Sequence, residues 1–262
     1  MGARMLAYRY LFEQMVRREL RQKYKGSVLG VAWYFINPLV LMGAYGVMFG
    51  KFLPLPRIPD YLIFLIVGIV VWTFFQQSLL SAAPSLVEQS SLVRKARFPR
   101  ETIPAASVAV QAVTLAILMT VVVVVSVSVR GTLGFALLLL PVLIACLLGF
   151  ALGLGLAVSS LHAHFRDVAP ILSAALLPWF FLTPIFFRPD TFPFFQRHAF
   201  VRGVIEWGNP VAPFIEAIRA VLYEGRVPTA GVLVYVVAAA ALALGLGRVV
   251  FRRLDRELAV VL

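Results

Sequence analysis

Twelve acidic residues, three histidines and one cysteine are all that the 262 residues hold for metal, redox or acid–base chemistry. The one cysteine, Cys146, lies inside an apolar stretch, which excludes an intrachain disulfide, a cysteine zinc cluster and a Cys-X-X-Cys redox pair. His162 and His164 flank Ala163. That spacing sets them on different helical faces with only Asp167 nearby, so no metal site and no catalytic residue is expected. Charged residues make up 14% of the chain and apolar ones 61%, with a mean hydropathy of +0.91. Water-soluble domains run nearer a quarter charged and half apolar, so a soluble enzyme is excluded. A G-x-x-x-x-G-K-[ST] loop is also missing: at Gly50-Lys51, Tyr45 stands where the first glycine is needed. ATP hydrolysis by this chain is therefore excluded.

Long apolar runs dominate what is present. They predict an all-α integral membrane protein with six transmembrane helices, at Leu29 to Phe49, Tyr61 to Ala82, Ile103 to Val129, Gly134 to Leu161, Val168 to Phe187 and Gly231 to Phe251. The expected organisation is a segment 1–28, a transmembrane domain 29–251 and a tail 252–262. Six is even, so both termini share a side. Sixteen of the 24 Lys and Arg residues fall on that side, and eight on the other. Positive charge is retained in the cytoplasm, so the termini of this multi-pass protein are expected there. The +12 net charge then reflects topology, not nucleic acid. All twelve acids lie at or beyond span ends, which leaves intramembrane proton coupling without a residue to use. The polar exceptions within spans are Asn37, Gln76, Gln77 and Gln111, whose amides suit helix–helix bonding. Power for any pumping must come from a partner.

Three further segments carry patterns of their own. From Leu6 to Lys25, Arg9, Glu13, Arg17, Arg21 and Lys25 form one stripe and Tyr8, Leu11, Phe12, Met15, Val16 and Leu20 the opposite face, as in an amphipathic helix at the membrane interface. Between spans two and three, Ser90 or Ser91 can cap a short helix that Pro99 stops. Leu92, Val93 and Phe98 would give it an exposed apolar knob, and Arg94, Lys95 and Arg97 its charge. Such a knob suits a groove on a partner protein. From Arg188 to Ala230, five prolines punctuate a segment in which Phe214, Ile215, Ile218, Val221 and Leu222 recur at helical spacing. A short amphipathic helix is expected there, dipping into the outer leaflet or capping the bundle.

Aromatic residues make up 13% of the chain. Trp33 and Tyr34 with Asn37, Trp72 and Phe75 with Gln76, and Trp179 with Phe180 are the candidates for lining a path. Aromatic faces take the C–H faces of sugars while amides bond their hydroxyls. A membrane glycosyltransferase is a rival reading, but only Glu88, Glu101 and Asp167 would serve it between spans on the cytoplasmic side.

Several motifs occur in a telling order: Arg18-Glu19 through Arg21 to Lys25 followed by Leu29-Gly30 with Trp33 and Asn37-Pro38; Phe49-Gly50; Gly68 with Trp72; Leu92-Val93-Arg94-Lys95 with Phe98-Pro99-Arg100 and Ile103-Pro104; Phe165-Arg166-Asp167; Leu182-Thr183-Pro184-Ile185; and Asn209-Pro210 with Arg219. In these the chain resembles the permease subunits of type-2 ABC exporters, the branch that exports lipid-linked polysaccharides such as O-antigen, teichoic acid or capsule. Glu19 departs from the Asp that the relatives often carry. The resemblance implies a homodimer of six-span subunits with two copies of a separate ABC ATPase, which binds ATP and Mg. It also implies a coupling helix around Glu88 to Pro99, aromatic contacts to glycan, and re-entrant outer helices gating the exit, with Pro210, Pro213, Phe214 and Ile218 at the gate. The leading expectation is polysaccharide export; the alternatives are drug or small-lipid efflux by a related permease and, behind that, the glycosyltransferase.

Overall fold

The computed structural model describes residues 2–23, 26, 29–52, 58–95, 98–131 and 134–261, without the side chains of 2–8, 23, 31, 34, 51, 94, 95, 193 and 256–261. Tyr24, Lys25, Arg57 and Arg97 lie outside the described residues, as do the side chains of Leu6, Tyr8, Lys23, Tyr34, Lys51, Arg94, Lys95 and Arg256.

The described residues form helices and no strand. In chain order they are α1 (Gly2–Lys23), α2 (Trp33–Val47), α3 (Tyr61–Glu88), α4 (Ser90–Lys95), α5 (Thr102–Arg130), α6 (Leu140–His164), α7 (Val168–Leu182), α8 (Pro193–Arg197), α9 (Ala199–Gly203), α10 (Ala212–Leu222) and α11 (Ala230–Val261). Among them α3, α5, α6 with the 3-10 turn before it, and α11 are long and apolar enough to cross a membrane. A helix satisfies its own backbone polar groups, which hydrocarbon cannot do. The remaining two apolar stretches form shorter helices, Phe35–Gly50 and Val168–Leu182.

The fifth stretch stops at Leu182, earlier than its hydropathy predicts. Thr183 adopts an extended backbone ahead of Pro184, whose ring disfavours the helical region for the residue before it. The Thr183 hydroxyl and N–H both donate to the Trp179 carbonyl, at 2.8 and 3.0 Å, and close the helix end.

Helix α3 is the axis of the bundle. Of its most apolar window 72% is buried, against 28%, 33% and 28% in α5, α6 and α11, which wrap it or flank it. Helix α10 is buried nearly all round; only Glu216 on it is exposed. It is the short helix expected from the outer segment, but it packs into the bundle instead of floating at a surface.

Helices α6 and α11 meet through glycine. A Cβ on Gly153 would overlap the Ala243 carbonyl group, and one on Gly247 would overlap the Gly153 carbonyl oxygen. Gly149 sits one turn earlier, 3.1 Å from a Leu244 methyl by the same measure. Hydrocarbon supplies no hydrophobic drive between helices, so close backbone approach through small residues is what holds such a pair.

The face of the bundle that carries both chain ends has its own apolar cluster: Met15 of α1, Leu86 of α3, Val93 of α4, Ile103 and Ala106 of α5, Leu156 and Ala163 of α6 and Phe251 of α11. On the far face Arg130, at the end of α5, donates to the Asp60 carboxylate (2.5 Å) and to the Tyr223 carbonyl (2.6 Å).

The glycine seam yields a stability test. Gly153→Val and Gly247→Val each must force α6 and α11 apart, and are expected to cost at least the ~1–3 kcal/mol of an overpacked core. Gly245→Val, at a position with open space around it, is the control that should leave the thermal unfolding midpoint in detergent nearly unchanged.

Candidate functional site

Two places bring chemistry-bearing residues together. The first is the α3–α4–α5 elbow on the face of the chain ends. Helix α3 ends at Glu88, and the Gln89 carbonyl accepts from the N–H groups of Leu92 (2.9 Å) and Val93 (3.1 Å), which starts α4. The exposed apolar knob expected from Leu92, Val93 and Phe98 is not found. Val93 is 3% exposed and lies inside the apolar cluster, with Leu92 and Phe98 half-buried against it. α1, α5 and α6 supply enough apolar surface at this end to cover the residues that a reading of the segment alone leaves bare. Among its described side chains the elbow exposes Glu88, Ser91 and Pro99. The turn after it is anchored, because Arg100 donates to both the carbonyl (2.7 Å) and the carboxylate (3.0 Å) of Asp255 on α11. Beside it Arg252 and Glu101 pair at 3.4 Å.

The second place is on the far face, where the motifs at Gly68, Thr183-Pro184-Ile185, Asn209-Pro210 and Arg219 converge. Arg219 is buried on α10, and its guanidinium donates to three backbone carbonyls: Phe64 (3.1 Å), Pro184 (2.6 Å) and Ile185 (2.6 Å). It lies over the Phe64 ring, 3.5 Å from the centroid, a cation–π contact. Gly68 makes room for it, since a Cβ there would stand 2.5 Å from Nη2. Ahead of α10, Asn209 ties three segments. Its Oδ1 accepts from the Trp179 indole N–H (3.0 Å) and the Val211 N–H (3.1 Å), and its amide donates to the Thr183 hydroxyl (2.9 Å).

The path candidates divide. Trp72, Phe75, Trp179 and Phe180 come together in one aromatic cluster: Trp72 is 6.0 Å from Trp179 and 5.6 Å from Phe180, and Phe75 is 5.4 Å from Trp179. The Trp72 indole donates to the Gln76 amide oxygen at 3.1 Å. Trp72 and Phe75 are 1% and 0% exposed, buried by the density of ring–ring packing, so their rings present no face to a ligand. Trp179 and Gln76 are half-buried. Trp33 and Asn37 stand apart on α2, both exposed. The gate candidates Pro213, Phe214 and Ile218 are buried in the bundle and Pro210 is half-buried, because α10 is an interior helix. Gln111 behaves as the helix-bridging amide that its place in a span suggests, reaching Ser81 of α3 at 3.5 Å.

Next to the Arg219 lock lies a cavity of about 430 Å³, lined among others by Arg188, Arg202, Glu206, Trp207, Glu216 and Arg226. The protein around the cavity partly desolvates the Glu216 carboxyl and, with the nearby Glu206 carboxylate, pushes its pKa up, while Arg226 and Arg188 oppose the shift. Arg219 and Glu216 are not legible as chemistry in the sequence, where Arg219 is only part of a motif and Glu216 has no pattern of its own. The signal available was a charge at helical spacing within an otherwise apolar stripe.

Comparison with known proteins adds to this geometry. Residues 10–223 match the family described as ABC-2 type transporter. An O-antigen export system permease protein RfbA of Myxococcus xanthus is 28% identical over 252 residues, 96% of this chain and 95% of that one. Two RfbA permease proteins of Klebsiella pneumoniae are likewise 28% identical, over 223 and 225 residues, 82% of each chain.

The lock is expected to be a stability determinant. Arg219→Ala removes three charge-assisted bonds and should cost about 3 kcal/mol or more, with Arg219→Lys intermediate, because an ammonium cannot fork to three carbonyls. Gly68→Ala should destabilise the unaltered protein but add little on top of Arg219→Ala, a coupling read from the unfolding midpoints of the single and double variants.

Proposed function

Because the chain belongs to the ABC-2 type transporter family, we propose that it is the permease subunit of an ATP-driven exporter that moves lipid-linked polysaccharide across the bacterial plasma membrane. The observation that carries this reading is the similarity to O-antigen export permeases along 96% of the chain. The chain is a transport subunit, not an enzyme, and ATP with its Mg belongs to the partner ATPase.

In this reading α2 and α7 complete a six-span subunit with the four long helices, and both termini face the cytoplasm, as the excess of Lys and Arg on their side favours. Two subunits pair and dock two ATPases. The polymer passes between the subunits along a wall to which the exposed faces of α2 and α7 contribute, with Trp33 and Asn37 on the first. Trp72, Phe75 and Phe180 stiffen that wall from behind.

ATP binding closes the ATPase dimer and pushes on the α3–α4–α5 elbow. The elbow is a firm lever because Val93 is seated in the cluster and Arg100 is bonded to α11. At the exit, Pro210, Pro213, Phe214 and Ile218 act as a gate that moves as one body with α10, since none of the buried three has a surface of its own.

The reading is tested in cells and with the purified complex. A strain lacking the chain should lose surface polysaccharide and accumulate the lipid-linked polymer on the inner side. The purified chain alone should hydrolyse no ATP. Ser91→Arg places a charge on the exposed side of the elbow and is expected to weaken ATPase docking roughly tenfold or more without moving the unfolding midpoint. Val93→Asp, by contrast, should lower the midpoint. Surface polymer that persists without the chain would refute the assignment.

A further inference from the structure

The cavity on the far face has a composition that selects among ligands. Four of its lining residues are arginines and four are carboxylates. Each arginine already has oxygen partners. Arg188 pairs with Glu224 (2.5 Å) and lies 3.8 Å from Asp190, Arg226 pairs with Glu224, and Arg202 pairs with Glu206 (2.8 Å). Arg219, at the floor, is committed to its three carbonyls. Among the described residues Glu216 has no hydrogen-bond or ion-pair partner, and it is exposed on the cavity lining.

An anion would have to displace these carboxylates from their guanidinium groups. A cation would meet four positive side chains, and no group of three metal-ligating residues occurs among the described residues. An uncharged ligand rich in hydroxyls meets neither obstacle. Its O–H groups donate to Glu216 and to the remaining lone pairs of Glu206, and its oxygens accept from outward N–H groups of Arg188 and Arg202. Trp207, 44% exposed, is braced from one side by Tyr235, whose ring meets it edge-on at 5.8 Å and whose hydroxyl donates to the Trp207 carbonyl at 2.9 Å. The exposed part of its ring can take an apolar C–H face. A volume of about 430 Å³ falls in the range of small-ligand pockets and suits roughly one or two pyranose rings.

We propose that this cavity is a saccharide subsite at the exit of the translocation path: it holds a sugar unit of the emerging polymer, with Glu216 and Glu206 accepting from ring hydroxyls and Trp207 carrying the ring. The proposal rests on the polysaccharide-export reading and sharpens it, by assigning a grip on the glycan to the outer rim, separate from the buried aromatic cluster.

The test uses the full exporter in spheroplasts of its own host. In a Cys146→Ser background, Thr229→Cys puts the one thiol on the cavity lining, where a membrane-impermeant sulfonated maleimide reads its accessibility. Labelling is expected to slow at least threefold while polymer synthesis is switched on, and Glu216→Ala should abolish that protection. Equal labelling rates with polymer reaching the surface normally would overturn the subsite and leave the export reading standing. Polymer reaching the surface without this chain would overturn the export reading itself, whatever the labelling shows.

A second arm uses the purified complex and oligosaccharides released from the host's surface polymer by mild acid. They should change the fluorescence that is lost in Trp207→Phe, saturably, and by at least threefold less in Glu216→Gln, whose unfolding midpoint reports that it is folded. A response to inorganic phosphate instead of the oligosaccharides would refute a hydroxyl-ligand site.

Discussion

A guanidinium buried among carbonyls governs how this bundle is assembled. Where α7 stops at Thr183, the chain turns away through Pro184 and Ile185, and their carbonyls lie outside any helix. In an apolar surround each bare carbonyl costs free energy, and so does an unpaired buried charge. Arg219 answers both at once and reaches the Phe64 carbonyl on α3 as well. The apolar side chains of α10 already seat it in the core, and the guanidinium ties it to α3 and to the chain beyond α7. The missing Cβ at Gly68 is the complementary half of the same device. Asn209 repeats the logic a few ångströms away, closing the Trp179 indole and the Thr183 hydroxyl into one polar knot.

How far the sequence reveals all this varies with the element. Hydropathy alone finds α3, α5, α6 and α11, because a run of apolar side chains that long has few other uses, but α3 and α11 continue six and ten residues past their expected ends. It overextends the fifth stretch by five residues, since Ile185, Phe186 and Phe187 are apolar in or out of a helix and only the residue before Pro184 betrays the break. The periodicity of Phe214, Ile215, Ile218, Val221 and Leu222 announces α10 as a helix, yet an apolar stripe reads the same against lipid as against protein. The same ambiguity hides Val93: a local pattern of apolar and basic residues says nothing of the α1 and α6 side chains that cover it. Aromatic residues grouped by position in Trp72, Phe75, Trp179 and Phe180 do meet in space, but their burial comes from three-dimensional packing that no single segment encodes. Trp33 and Asn37 share no such neighbourhood and remain on the open side of α2.

The result is a subunit with unequal parts. α3, α6, α10 and α11 form a block held by glycine contacts, ring packing and the Arg219 lock. The two short apolar helices, α2 and α7, are exposed over much of their length; on α7 only Leu176 and Phe180 are buried. In a transport cycle, rearrangement is cheapest where the fewest contacts are broken, which directs motion to these helices. The chemistry of the subunit is likewise divided, with the polar elbow at one end, the mixed-charge cavity at the other and a dry aromatic interior between.

Helix α11 spans that division without a break. Its 32 residues measure about 48 Å, well beyond a hydrocarbon layer of about 30 Å. Its stem projects on the side of the chain ends, where Asp255 receives Arg100, while Val232 near its start borders the far-face cavity. Fused to α6 along the glycines, such a shaft bends little. A tilt imposed at the stem therefore reappears, reversed in direction, at the rim, so stiffness alone links the two ends of the chain.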